Sequence, residues 1–262
     1  MDSVTLVVVA AGGMAGFASG FLGVGGAILL IPSLLIGPSL VGAPPLGIHE
    51  ASGLTAASVA GASIAAGISH RRSGHLEARL AATTGSSMLA AGFVGAAISR
   101  LLPPVGLLAI FASMATLASL LLLVRYRETS RGDTLRPGRP FTELTIGATV
   151  GVAAGMVGAG GAFLLVPAIN RLADIPLRVA IGTMPAVALL GTGGTLAGKF
   201  VSGQVPMELV PWAIAAAAPA AILGARLSHR ANVHTLRMVL AWLATLIAAG
   251  SWIGVADGIF PS

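Results

Sequence analysis

Two short runs carry the residue types and spacing from which chemistry can be argued: Gly23-Val24-Gly25-Gly26, followed by Ala27, and Gly158-Ala159-Gly160-Gly161, followed by Ala162. Glycines at this density disfavour a continuous helix, because each costs about 1 kcal/mol relative to alanine. A helix that restarts directly after such a break presents unpaired amides and the positive end of its dipole. That combination binds anions without a buried lysine. Hydroxyls on neighbouring apolar runs (Thr55, Ser58, Thr183, Thr192 and Thr195) could donate to an oxyanion, although such groups more often bond the carbonyl one turn back. His49 and Glu50 at one helix entrance, and Lys199 at a helix exit, are the ionisable groups that proton coupling or gating would use. Interfacial anchoring is the plainer role for all three.

Other chemistries find little support. Ile28 stands where a dinucleotide fingerprint needs its last glycine, and no lysine follows as in a phosphate loop. The chain has no cysteine, so thiol chemistry and cysteine-ligated metals are excluded, and no His/Asp/Glu cluster has metal spacing. Aspartate occurs only at Asp2, Asp133, Asp174 and Asp257, near ends or loops, which leaves no pair for an intramembrane protease. No enzyme, cofactor or metal is expected. The net charge of +6 comes from residues at the ends of apolar runs without aromatic interleaving, which argues against nucleic acid.

The elements that hold the glycine breaks must lie in lipid. The 262 residues carry only 9% charged side chains and a mean hydropathy of +0.92, where a soluble fold has roughly 25% charged residues. Apolar runs from about Ile48 to Ile68, Leu80 to Ile98, Val105 to Val124, Val179 to Phe200, Leu209 to Leu227 and Leu236 to Val255 each have about the 20 residues that a crossing helix needs. The start, MDSVTLVVVAAGG, lacks a basic n-region and reads as part of the mature chain. Arg125 to Pro140, RYRETSRGDTLRPGRP, reads as a linker. It divides the chain into a first unit of residues 1–124, the linker 125–140 and a second unit of residues 141–262.

The two units are copies. Shifted by 135 positions, Gly12, Gly16, Gly20, Gly23, Gly25, Gly26 and Pro32 fall on Gly147, Gly151, Gly155, Gly158, Gly160, Gly161 and Pro167. Further on the shift is 129 positions, pairing Ser73-Gly74 with Ser202-Gly203 and Gly95-Ala96 with Gly224-Ala225. The first three glycines of each set recur every four residues, a spacing that lets helices pack closely. If each copy crossed four times, nine basic residues would lie on one side and six on the other. If Phe141 to about Leu172 instead enters and returns, thirteen lie inside, leaving only Arg100 and Lys199 outside. The positive-inside bias therefore favours a re-entrant hairpin. By repeat symmetry the first glycine stretch is a second hairpin, although no Lys or Arg lies near it. The expected fold is an all-α polytopic membrane protein of two inverted repeats, each a glycine-broken helical hairpin plus three transmembrane helices, with both termini outside. Two hairpins entering from opposite faces bring their helix starts together near the midplane, a recurrent transporter plan.

The paired motifs GFLGVGGAILLIPSL and GMVGAGGAFLLVPAI, set in two four-element repeats, resemble the sulfite exporter TauE/SafE family, the toluene sulfonate uptake permeases. The resemblance covers essentially the whole chain. It implies an inner-membrane secondary transporter of a small organosulfur anion such as sulfite, sulfoacetate or another sulfonate, bound at the facing helix starts. By position it implies a site of Gly23, Val24, Gly25, Gly26 and Ala27 with Gly158, Ala159, Gly160, Gly161 and Ala162. The family's polar patch falls on Ser52, Gly53 and Thr55 and on Gly182 and Thr183. Met184 and Pro185 stand where the first copy has Thr55 and Ala56, so the hydroxyls are not symmetric. Partners are the bilayer, the anion and a coupling ion, proton or sodium. A passive anion channel, a carboxylate transporter and a membrane scaffold without transport are the alternatives.

Overall fold

The computed structural model describes residues 2–23, 26–70, 77–123, 140–228 and 233–257, and every element among them is a helix. The first half contains α1 (Ser3–Leu22), α2 (Ala27–Leu40), α3 (Ile48–His70), α4 (Ala78–Ser99) and α5 (Pro104–Leu123). The second contains α6 (Pro140–Val157), α7 (Ala162–Leu172), α8 (Leu177–Val201), α9 (Val210–Ser228) and α10 (Val233–Asp257). Val24 and Gly25, the arginines of the 71–76 loop and nearly all of the linker lie outside the described residues.

Both glycine runs interrupt the helix as expected, between α1 and α2 and between α6 and α7. The restarted helix α7 covers Ala162–Leu172, as read from sequence, whereas α2 runs on to Leu40 through Pro32 and Pro38. At 14 and 11 residues, α2 and α7 rise only about 21 and 16 Å, short of the roughly 30 Å hydrocarbon core.

Six helices among the described residues are long and apolar enough to cross a membrane: α1, α4, α5, α6, α9 and Thr235–Ala256 of α10. Four coincide with spans read from sequence. The other two, α1 and α6, are the first arms of the glycine hairpins. Two more helices, α3 and α8, have 23 and 25 residues, long enough for the spans read from sequence. They contact each other and are flanked by α4 and α9, so their buried faces carry Ser52, Thr55, Ser58, Thr183, Thr192 and Lys199. A helix sheathed by other helices needs no apolar circumference. The sheath is apolar, with Leu101, Phe200, Trp242 and Leu246 more than half exposed.

The glycine stripes are seams. Gly12, Gly16 and Gly20 of α1 abut Ala213, Ala217 and Ala221 of α9 in ascending order, so these helices run in the same direction. Gly53 and Gly61 of α3 meet Gln204 and Ile214 in ascending order, which aligns α3 with α9 as well. Because α1 and α3 both run parallel to α9, α2 brings the chain back toward the end from which α1 set out. The second half repeats this: Gly147, Gly151 and Gly155 of α6 meet Thr84, Met88 and Gly92 of α4, while Gly85 and Gly92 of α4 meet Leu190 and Thr195 of α8. Thus α4, α6 and α8 are mutually parallel.

Two further observations give relative directions. The start of α3 meets the end of α8 through His49 and Gln204, and Thr183, near the start of α8, bonds Glu77 beyond the end of α3. These two helices are antiparallel. So are α5 and α10, whose Ser119 pairs with Thr245, Thr116 with Trp252, and Leu122 with Arg237. The neighbour pattern maps onto itself when α1 to α5 are exchanged with α6 to α10: α1 packs on α9 as α6 packs on α4, and α2 touches α10 as α7 touches α5.

Candidate functional site

At the second break three glycines hold a left-handed backbone, Gly158 at φ 77°, Gly160 at φ 61° and Gly161 at φ 64°. A side chain at any of them would be strained by conformation and by lack of space. A β-carbon on Gly158 would enter the Ser52 backbone, one on Gly160 would enter the Thr192 methyl, and one on Gly161 would lie 2.8 Å from the Ala154 methyl. The break is thus wedged between α3 and α8. Gly160 also faces Val59, the central residue of α3, which puts the break near mid-helix depth.

The polypeptide compensates for part of the lost helix. Gly158 donates to the Gly155 carbonyl at 3.3 Å, fully buried Ala159 donates to that of Ala154 at 2.9 Å, and Leu164 and Leu165 donate to that of Gly161. Gly161 caps α7 without a side-chain bond, and the amides of Gly160, Gly161, Ala162 and Phe163 have no acceptor among the described residues. Gly160, Gly161, Ala162 and Phe163 are buried, so these amides lie in the protein interior. The positive end of the α7 dipole therefore sits in a proteinaceous setting, where its field is less screened than at the surface.

One hydroxyl faces this region without a partner. Ser52 and Val59, which touch Gly158 and Gly160, flank Thr55 on the same face of α3. Thr55 is fully buried and its Oγ1 has no hydrogen-bond partner. The other hydroxyls near the break behave otherwise: Ser52 donates to the His49 carbonyl at 2.7 Å, Ser58 to that of Leu54 at 2.8 Å, and Thr192 to that of Ala188. Thr183, read from sequence as a substrate contact, accepts the Glu77 amide at 3.1 Å, which ties the start of α8 to the start of α4, and its own proton is donated to no acceptor among the described residues. Thr84 of α4 is the other buried hydroxyl without a partner among the described residues.

The first break differs in its surroundings. Gly23 ends α1 at φ 67° with its amide on the Ser19 carbonyl, and a β-carbon on Gly26 would enter the backbone of Ala15 in the same hairpin. Ala27 is fully buried at the start of α2. Val24 and Gly25 lie outside the described residues. The expectation that the two helix starts meet is modified: α2 and α7 share no extensive contact, and the inner pair α3 and α8 lies between the hairpins.

The ionisable candidates separate. Glu50 is exposed and accepts the Gly47 amide at 3.3 Å, a local bond at the start of α3. His49 is half-buried with its Nδ1 3.2 Å from Gln204 Oε1. Lys199 was read as a candidate for proton coupling or gating, with interfacial anchoring as the plainer role, and the anchoring does not hold: its side chain is fully buried. Its Nζ donates to Ser99 Oγ, the Met156 carbonyl and Gln204 Oε1, each at 2.8 Å. Ser99 ends α4, Met156 lies in the last turn of α6, and Lys199 itself is in the last turn of α8, so three helix C-termini converge on one ammonium. That arrangement explains why the lysine turns inward, since cations are favoured at helix C-termini. Nothing in the sequence placed Ser99 or Gln204 there, because the convergence joins residues about 100 positions apart.

Sequence reading also missed Glu143, fully buried near the start of α6, which pairs with Arg79 at 2.8 Å and accepts from Thr83 at 2.7 Å. It fastens the starts of α4 and α6 to each other.

Comparison with known proteins agrees with this architecture along most of the chain. The family model described as Sulfite exporter TauE/SafE matches residues 8–251. A protein of Xylella fastidiosa (strain Temecula1) named "Probable membrane transporter protein" is 31% identical over 251 residues, 93% of each chain. A Bacillus subtilis (strain 168) protein, "Probable membrane transporter protein YdhB", is 26% identical over 218 residues, covering 82% of this chain and 86% of its own. No solved structure matches.

Proposed function

Because the chain belongs to the TauE/SafE sulfite exporter family of multi-pass membrane transporters, we propose that it is a secondary transporter that holds a small organosulfur anion, sulfite or a sulfonate, at the second glycine break. The observation that carries this reading is the buried α7 start without acceptors for its amides, touched by the face of α3 that bears Thr55 between Ser52 and Val59. There the unpaired amides of Gly160 to Phe163 and an unpaired hydroxyl offer several donors to one small oxyanion. Peptide amides and a threonine suit the oxygens of a sulfonate or of hydrogen sulfite, and themselves carry no net charge that would trap the anion.

The transport cycle we propose is alternating access by two inverted repeats. Three features support it. Repeat mates α3 and α8 run antiparallel, as do α5 and α10, and the neighbour pattern survives exchange of the halves. The Arg79–Glu143 pair sets the starts of α4 and α6 on one face. The end of α9, with Arg226, reaches that same face, because α9 runs parallel to α3, which ends beside the start of α4. This puts Arg79 and Arg226 on one side, as expected of a cytoplasmic face, with Lys199 and Arg100 toward the other. The chain then sits in the cell inner membrane with both termini outside, and the coupling ion is a proton or sodium.

Binding tests the site directly. Purified protein is heated with sulfite, methanesulfonate or acetate. The melting temperature is expected to rise with at least one sulfur anion and not in the Gly160→Leu variant, whereas equal shifts in both proteins would remove the second break as the site.

A further inference from the structure

The Lys199 cluster bears on which anions are accepted, given the proposed transport function. Lys199 Nζ spends all three donors on neutral acceptors, and among the described residues no carboxylate pairs with it. The cluster adjoins the break: Met156 lies two residues before Gly158, and Ser52, whose backbone Gly158 touches, bonds to His49, which reaches Gln204. Of the lysine's three acceptors, two are fixed in helices. The third, Gln204 Oε1, belongs to the segment between α8 and α9 and is shared, lying 3.2 Å from both Ser99 Oγ and His49 Nδ1 as well as 2.8 Å from the ammonium, while Gln204 Nε2 donates to Ser99 Oγ and Ser202 Oγ at 3.1 Å. It is the one acceptor of the three carried by a side chain outside the helices, so rotation of that side chain alone can withdraw it.

We infer that Lys199 is the charge-selecting station of the anion path: an anionic oxygen replaces Gln204 Oε1 on the ammonium, and the site accepts singly charged oxyanions in preference to doubly charged ones. The physical ground is net charge. One fixed cation and one monoanion make a neutral pair that the protein interior tolerates, whereas a dianion of the same shape leaves a net negative charge buried. Methanesulfonate and sulfate present this contrast, since both are tetrahedral at sulfur and differ in charge.

Uptake of radiolabelled methanesulfonate into proteoliposomes, with unlabelled sulfate as competitor, tests the inference in wild type, Lys199→Gln and Lys199→Arg. Wild type is expected to need at least about tenfold more sulfate than unlabelled methanesulfonate for half-inhibition. Lys199→Gln is expected to raise the KM for methanesulfonate about tenfold or more, and Lys199→Arg to recover most of that loss. An unchanged KM in folded Lys199→Gln would overturn the charge station while leaving the transport function standing, because the lysine would then be only a cap on α6. Should Lys199→Gln fail to fold, wild type decides, and equal competition by sulfate overturns the inference. Absence of any anion uptake by wild type would overturn both this inference and the transport function.

Discussion

At the scale of single residues, the glycines of the second break and Thr55 make opposite demands. Gly160 is there because nothing larger fits at φ 61° beside the Thr192 methyl. Gly160→Leu should abolish transport in reconstituted vesicles, and retained uptake would show that the break tolerates a side chain. Thr55 is there at a cost, since a buried hydroxyl without a partner destabilises by about 1–3 kcal/mol. Thr55→Val should therefore raise the melting temperature of the substrate-free protein while raising KM by roughly five- to thirtyfold, the equivalent of about 1–2 kcal/mol of lost hydrogen bonding. A purely structural Thr55 would show the first change and not the second. The glycine break and Thr55 were legible in the sequence because they are local or repeated. The bond that Thr183 accepts and Thr55 lacks was not, because it depends on the packing of α8 against the Glu77 segment, more than 100 positions away.

At the scale of elements, four crossing helices and both short returning helices follow from apolar length and glycine density. The central position of α3 and α8 does not, since apolar length does not tell which helix the others surround. The seams were legible as glycine repeats every four residues, but not their partners, which lie across the repeat boundary: α1 on α9 and α6 on α4. Two glycines of α1 separate packing from propensity. A β-carbon on Gly20 would enter the Ala221 backbone, whereas one on Gly13 meets nothing within 4 Å. Gly20→Ala should lower the melting temperature, with overpacking costing about 1–3 kcal/mol. Gly13→Ala should leave it unchanged or raise it, because alanine favours a helix by about 1 kcal/mol. Equal effects would mean that the seam can open to admit a methyl group.

At the scale of the whole molecule, the distribution of thirteen basic residues against two and the directions of the packed helices both fit the proposed arrangement, two units facing opposite ways. Accessibility tags in the loop before Arg79 and in the loop after Arg226 should both report the cytoplasm, and tags on opposite sides would overturn the inverted arrangement. Lys199 shows where charge counting stops: it assigns a lysine to a side of the membrane, but whether the side chain faces water or three converging helix ends depends on contacts far apart in sequence. A transporter and a passive channel share every feature of such a site and differ in whether the site moves. Uptake of labelled sulfite into proteoliposomes holding equal sulfite on both sides, driven only by an imposed proton or sodium gradient, separates them most directly. The expected result is accumulation above the external concentration with one of the two gradients and none in Gly160→Leu; equilibration without accumulation under both gradients would contradict a coupled transporter.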